Sequence, residues 1–194
     1  MTGGVWRGPM AEITPLKKLD TEALKQVITG YVSPAKYEIE KAEARELTTI
    51  TMQLVSLEHL YVKRYDPLDE ETLERYVRVL KDGLSFGAYA EDQLIGVALA
   101  EPHWWNKSLW VWEFHVAEAY RGLGIGRKLM EALAEKGRAA GLRIIVCETQ
   151  NTNAPAIEFY RKVGFRVEGI DLSYYTNDDV LHGEVAIFMK RGLV

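Results

Sequence analysis

The chain has 194 residues, 47% of them hydrophobic, which is enough apolar material for one sizeable core and too little for two full domains. A formal net charge of -4 argues against a nucleic-acid binder, since such domains usually carry a basic surface, and suits a cationic partner only weakly, since mild acidity also serves solubility. No run of about 18 apolar residues is there to span a bilayer, and one cysteine with four scattered histidines offers neither an intrachain disulfide nor a metal site.

The N-terminus lacks a basic start followed by an apolar signal core, so a cytoplasmic protein without membrane, metal or nucleic-acid partners is expected. Asp20 to Gly30 reads as a short helix. Tyr37 to Tyr65 reads as strands, from the alternation of Ile50, Met52 and Leu54. A clearer helix runs from Asp69 to Asp82, where Asp69, Glu70 and Glu71 complement the helix dipole and Leu73, Tyr76, Val77 and Leu80 form one stripe. Strands follow over Ser85–Ala90 and Gln93–Ala100 around a turn at Asp92, then over Leu109–Val116 after a turn at Asn106 and Lys107. The helix from Ile125 to Ala140 turns Leu129, Met130 and Leu133 to the sheet and stops at Gly141. Ile144 to Thr149 is an apolar, β-branched run, as in a strand covered on both faces; Cys147 within it reads as a buried strand residue, not a nucleophile. Glu184 to Lys190 closes the pattern as a last strand, pairing with Phe165–Gly169 or its neighbours.

Two segments carry chemistry. Val116-Ala117-Glu118-Ala119-Tyr120-Arg121-Gly122-Leu123-Gly124-Ile125-Gly126-Arg127-Lys128-Leu129 runs from a strand end through a glycine-studded turn into an amphipathic helix. The glycines let the backbone approach a ligand, the first helical N–H groups lack intrahelical partners, and Arg121, Arg127 and Lys128 add cationic donors: this is a pyrophosphate cradle. Glycines that merely turn a corner are the competing reading. The dinucleotide fingerprint G-x-G-x-x-G fails because its third glycine falls on Arg127 or Leu129. The phosphate loop fails because Arg127, Lys128 and Leu129 follow Gly126. What remains, R-G-x-G-x-G after a hydrophobic strand, resembles the acyl-CoA loop of the GNAT N-acetyltransferases.

The second segment, Cys147 to Phe165, sets Asn153, Ala156, Phe159, Tyr160, Gly164 and Phe165 in the spacing N-x-x-A-x-x-F-Y-x-x-x-G-F, which is similar to the other hallmark of that superfamily. Physically it is a short helix with Asn153 near its N-cap, Pro155 in its first turn, Ala156, Phe159 and Tyr160 on one face, and Gly164 as a left-handed stop.

The resemblance implies a mixed α/β fold in the order β-β-β-α-β-α-β, with a mostly antiparallel sheet splayed around an acetyl-CoA site and flanked by helices. It implies one domain over residues 1–194, in which 1–66 supply acceptor-side elements and 67–194 the acyl-CoA-binding core. Acetyl-CoA is the implied cosubstrate, held by Val116, Arg121, Gly122, Leu123, Gly124, Ile125, Gly126, Arg127, Asn153 and Tyr160. Tyr160 is also implied as the group that protonates the departing CoA thiolate; from pattern alone it is an aromatic that packs. The run Glu148-Thr149-Gln150, Asn153, Phe159-Tyr160, Gly164-Phe165, Gly169-Ile170-Asp171, Tyr175 and Asn177 further resembles streptothricin acetyltransferases, which acetylate an amine of a cationic antibiotic. On that resemblance Asp171 anchors a substrate ammonium; a carboxylate in a surface turn before an Asn177-Asp178-Asp179 loop is the alternative. One departure stands out: Glu113-Phe114-His115-Val116-Ala117 occupies the place of an acidic pair followed by apolar residues.

Amine acetylation by acetyl-CoA needs a deprotonated amine, a polarised thioester carbonyl and a proton for the thiolate. Backbone N–H groups near Val116 serve the carbonyl if the strand splays. Glu113 and His115, two residues apart and so on one strand face, are the candidate bases, with a hydrogen-bonded surface pair as the plain alternative. Trp104, Trp105, Trp110 and Trp112 surround that strand; in an unbulged strand Trp110 and Trp112 share a face opposite to Glu113, and Trp112 is assigned to the acceptor pocket. The expected reaction is direct acetyl transfer to a primary amine of a small cationic molecule. A protein Nα or lysine acetyltransferase and a non-catalytic acyl-CoA sensor are the alternatives, the sensor being disfavoured by Tyr160 and the acidic strand residue. Edge strands in such folds pair between subunits, so a homodimer is a further expectation.

Overall fold

The computed structural model describes residues 11–194, so the reading of the extreme N-terminus lies outside the described residues. In chain order the elements are β1 (Glu12–Pro15), α1 (Thr21–Val27), β2 (Gly30–Ala44), β3 (Leu47–Arg64), α2 (Glu70–Leu80), β4 (Phe86–Ala90), β5 (Gln93–His103), β6 (Ser108–Val116), α3 (Ile125–Ala139), β7 (Ile144–Gln150), α4 (Ala154–Lys162), β8 (Arg166–Asp171), α5 (Asp179–His182) and β9 (Ala186–Gly192). They fall into two compact units, one of residues 11–29, 66–143 and 193–194, the other of 30–65 and 144–192.

In the first unit β1, β4, β5 and β6 pair antiparallel in that order. The β4–β5 hairpin turns on Glu91 and Asp92, both at positive φ (48° and 67°), the tight two-residue geometry whose twist matches its strands. Helix α2 starts where Asp69 accepts from the Thr72 N–H at 2.7 Å, with Glu70 and Glu71 in its first turn, as the acidic start requires. Tyr76 and Val79 are buried, but Val77 is 51% exposed and leaves the expected stripe, because at about 100° per residue it is swung far from Val79. Ile95, Val97, Leu99, Leu109, Leu129, Met130 and Leu133 are fully buried, so the apolar stripe of α3 lies in the core as its periodicity predicts. At its end the Leu142 N–H reaches back to the Gly137 carbonyl at 3.0 Å across Gly141 at φ 75°, a glycine C-cap.

In the second unit β9 lies between β7 and β8, antiparallel to both; it starts two residues later than expected, at Ala186. Asn153 caps α4 by accepting from the Ala156 N–H at 3.2 Å, Pro155 sits in its first turn, and Gly164 stops it at φ 93°. The buried face is Ala154, Ile157 and Tyr160, whereas Ala156 and Phe159 are half-buried. The three buried positions are three residues apart, which tilts the face away from the expected one. The expected Asn177-Asp178-Asp179 loop holds at Asn177 and Asp178, and its last residue, Asp179, opens the short helix α5. Asp179 is buried and accepts from the N–H groups of Tyr175 and Thr176 and from the Thr176 hydroxyl. Strands β2 and β3 make a hairpin that begins at Gly30, seven residues before the expected Tyr37, while α1 ends at Val27. Its base is tied down by Tyr31 to the Thr152 hydroxyl (2.7 Å), Tyr61 to Glu184 (2.8 Å) and Asn151 Nδ2 to the Tyr37 carbonyl (2.7 Å). Among the described residues no helix is long and apolar enough to cross a membrane.

Candidate active site

Strand β6 ends at Val116, a single 3-10 turn covers Glu118–Tyr120, and the chain then enters the glycine turn. Gly122 and Gly124 adopt left-handed φ values of 78° and 81°, which explains glycine at both on backbone grounds. A Cβ added at either would meet no heavy atom within 4 Å, so the space in front of the turn is open. Gly124 is the N-cap of α3 and no side chain caps it. The turn therefore presents first-turn N–H groups that an external anion can satisfy. Ile125 is buried and anchors the helix start, while Leu123 and Arg127 are exposed. Arg121 does more than add charge: its Nε donates to the Val116 carbonyl at 2.9 Å and braces the strand end against the turn.

On the same strand, Nε2 of His115 lies 2.6 Å from Oε2 of Glu113, as their two-residue spacing predicts. The ionised carboxylate can only accept, so the imidazole donates. The other oxygen, Oε1, accepts from the buried hydroxyl of Tyr76 on α2. Burial by itself would raise the pKa of Glu113, but the hydrogen bond and charge of His115, the Tyr76 hydroxyl and the Arg75 guanidinium outweigh it and hold the carboxyl below its usual range. Burial and the Glu113 charge push the Tyr76 phenol up, which keeps it a donor.

Trp112 is not on the far side of this strand. Leu99 pairs with Glu113 but Ala100 with Val111, so Trp112 is the extra residue of a β-bulge, and the bulge breaks the alternation that would have separated it from Glu113. The Arg75 guanidinium lies over both the Trp112 ring (4.7 Å) and the Tyr76 ring (5.7 Å), joining tryptophan, tyrosine and carboxylate in one cluster. Trp112 Nε1 donates to Glu101 at 2.8 Å, and its ring is 5.9 Å from that of Trp110. Trp104 and Trp105 are exposed in the β5–β6 turn. Sequence reasoning missed Tyr76 and Arg75. A tyrosine on a buried helical stripe does carry a signal, since its hydroxyl must find an acceptor.

In the second unit Tyr160 is buried, its ring 5.5 Å from that of Phe159 and 5.3 Å from that of Phe165. Its hydroxyl is hydrogen-bonded to the Cys147 thiol, and burial raises its pKa well above the usual phenol value. Burial likewise raises the thiol of Cys147, so the cysteine is an inert strand residue as its position predicts. Asn153 is committed to capping the helix that carries Tyr160. Asp171 accepts from the Ser173 N–H at 3.1 Å, the local turn that was the alternative to substrate binding. Glu148 accepts from the Tyr175 hydroxyl.

Residues 54–165, which include both motif segments, match the family model for the acetyltransferase (GNAT) family. The chain belongs to the GNAT family. Its fold is the GNAT fold, mixed α/β with a mostly antiparallel sheet and flanking helices. This GNAT chain is 38% identical over 101 residues to the streptothricin acetyltransferase of Streptomyces lavendulae, covering 52% of this chain and 53% of that one. It is 30% identical over 108 residues to the streptothricin acetyltransferase of Escherichia coli, covering 56% and 62%. The chain thus spans little more than half the length of these relatives. Among solved structures, nourseothricin acetyltransferase superposes with a TM-score of 0.75 at 26% identity, over 95% of this chain and 99% of that one. A putative streptothricin acetyltransferase from Bacillus anthracis, solved with acetyl coenzyme A, shares the fold with a TM-score of 0.70 at 24% identity, over 94% and 99%.

Proposed function

We propose that the protein is an acetyl-CoA-dependent N-acetyltransferase that acetylates a primary amine of a small cationic molecule. The observation that carries this reading is the Glu113–His115 pair on the strand that leads into the open glycine turn: a proton acceptor and an anion-binding turn on one short segment. The left-handed glycines, the uncapped start of α3 and the exposed Arg127 fit the pyrophosphate of acetyl-CoA. When bound, acetyl-CoA supplies the activated acetyl thioester.

In this reading Glu113, acting through His115, takes the ammonium proton so that the amine can attack, and the backbone about Val116 polarises the carbonyl. Tyr160 in this reading returns a proton to the thiolate, its phenol being protonated beforehand. The likeness to streptothricin acetyltransferases supports a cationic acceptor. Trp112 and Asp171 are the side chains proposed to meet it, an aromatic face and a carboxylate that attract cations. The test is CoA-thiol release with streptothricin, aminoglycosides, polyamines and peptide amines. Saturable release with streptothricin or a polyamine is expected. Release with peptides alone would replace the substrate class, and acetyl-CoA binding without release under any acceptor would leave a sensor.

A further inference from the structure

Strand β7 turns Ile145, Cys147 and Thr149 to one face by alternation, and all three are buried. Cys147 is the single cysteine of the chain. It stands in register with the buried Met189 of β9, and its thiol is hydrogen-bonded to the hydroxyl of Tyr160 on α4. The Tyr160 ring is wedged against the rings of Phe159 and Phe165, so the phenol is held where the thiol meets it. As packing, this position asks only for a small apolar side chain, which alanine or valine would supply. A thiol adds a hydrogen that can be donated. Burial keeps that hydrogen on the sulfur, so Cys147 is inert as a nucleophile and available as a donor.

The pair shares two hydrogens, and their directions bear on the chemistry. A phenol proton turned to the sulfur is withheld from transfer, whereas a thiol proton turned to the oxygen leaves the phenol proton available. Once the phenol has given its proton up, only the second arrangement is left, an S–H donating to a phenolate. A hydrogen bond to a charged acceptor is the stronger kind.

We propose that Cys147 is a positioning residue for acetyl transfer: its S–H donates to the Tyr160 oxygen, directs the phenol proton outward and steadies the phenolate that forms. This rests on the reading of Tyr160 as the acid. In that step the O–H bond of Tyr160 breaks and an S–H bond forms on the departing thiolate; the phenolate regains a proton from solvent after the thiol has left. Cys147 keeps its own proton throughout. Because its hydrogen bond is stronger to the phenolate than to the phenol, it lowers the barrier without tightening the binding of acetyl-CoA.

With one cysteine in the chain, the S–H stretching band in the Raman spectrum of the protein without acetyl-CoA belongs to Cys147 alone. Donation lowers that band, and Tyr160→Phe should return it to the position of a free thiol. In turnover with the fastest acceptor of the CoA-release panel, Cys147→Ala should lower kcat by about tenfold and leave the KM for acetyl-CoA unchanged. Cys147→Ser restores a donor and should bring kcat back to within about threefold of the parent. Added to Tyr160→Phe, Cys147→Ala should cost no further turnover, because the oxygen it serves is gone. Should Cys147→Ala fail to fold, Cys147→Val fills the position without a donor and carries the same expectations. A band that Tyr160→Phe leaves in place would overturn the proposal, as would full turnover in Cys147→Ala or an equal loss from it in the Tyr160→Phe background. Unaltered turnover in Tyr160→Phe alone would instead remove the acid, and the role of Cys147 with it.

Discussion

Glu113 and Tyr160 are the two side chains proposed to handle protons in this protein, and their surroundings push them in opposite directions. Glu113 is covered but hydrogen-bonded to His115 and Tyr76 and near the Arg75 charge, so its carboxyl is held below the usual range. Tyr160 is buried with a thiol as its polar partner, so its phenol is raised. Burial opposes charge at both sites; what differs is whether donors and cations offset it. Glu113 is thus kept ionised and Tyr160 protonated, the states from which a base and an acid start, while each shift moves its group away from neutral pH and so weakens it for proton transfer.

The most direct way to break that comparison is Tyr160→Phe. The ring keeps its contacts with Phe159 and Phe165 and only the hydroxyl is lost, so turnover should fall by about 10²-fold while the melting temperature drops by no more than the loss of the hydrogen bond to Cys147 explains; unaltered turnover would make Tyr160 a packing residue. Glu113→Gln should lower kcat by about tenfold, less than the tyrosine change because His115 remains to take the proton, while leaving acetyl-CoA affinity as it was. If it raises only the acceptor KM, Glu113 is an anchor for the cation and not a base. Isothermal titration tests the cradle separately: Gly124→Val, strained at φ 81°, should weaken acetyl-CoA binding by about fivefold, with a smaller effect for Lys128→Ala.

The smallest effect sharpens the comparison most. Tyr76→Phe removes one donor from the ionised carboxylate, so the pKa of Glu113 must rise. The acidic limb of the kcat/KM profile should move to higher pH, with about a threefold loss at the plateau. A limb that stays in place would separate Tyr76 from the reaction. The same sign governs stability. The folded pKa of Glu113 lies below the ordinary 4.5, so its contribution is complete above that value and is lost as the pH falls through the folded one. Melting temperatures of Glu113→Gln should accordingly vary less with pH than those of the parent in that acidic range.

Much of the site was legible in the sequence because it is local. Gly122, Gly124, Gly141 and Gly164 stand where the backbone turns left-handed, Asn153 and Asp69 where helices start, and Glu113 and His115 at the two-residue spacing that puts strand neighbours on one face. Each of these is dictated by the few residues around it, through sterics and hydrogen-bonding capacity alone. The partners were not legible. Tyr76 belongs to a helix 37 residues before Glu113, and periodicity shows that a tyrosine is buried without showing which acceptor meets its hydroxyl. The side taken by Trp112 depends on a bulge set by the pairing of β5 with β6, and α5 depends on a carboxylate turned inward at Asp179. The sequence by itself determined the turn, the caps and the Glu113–His115 pair. Only the tertiary structure decided which donors surround that pair, because long-range pairing is chosen by the packing of whole elements and not by the residues of any one of them.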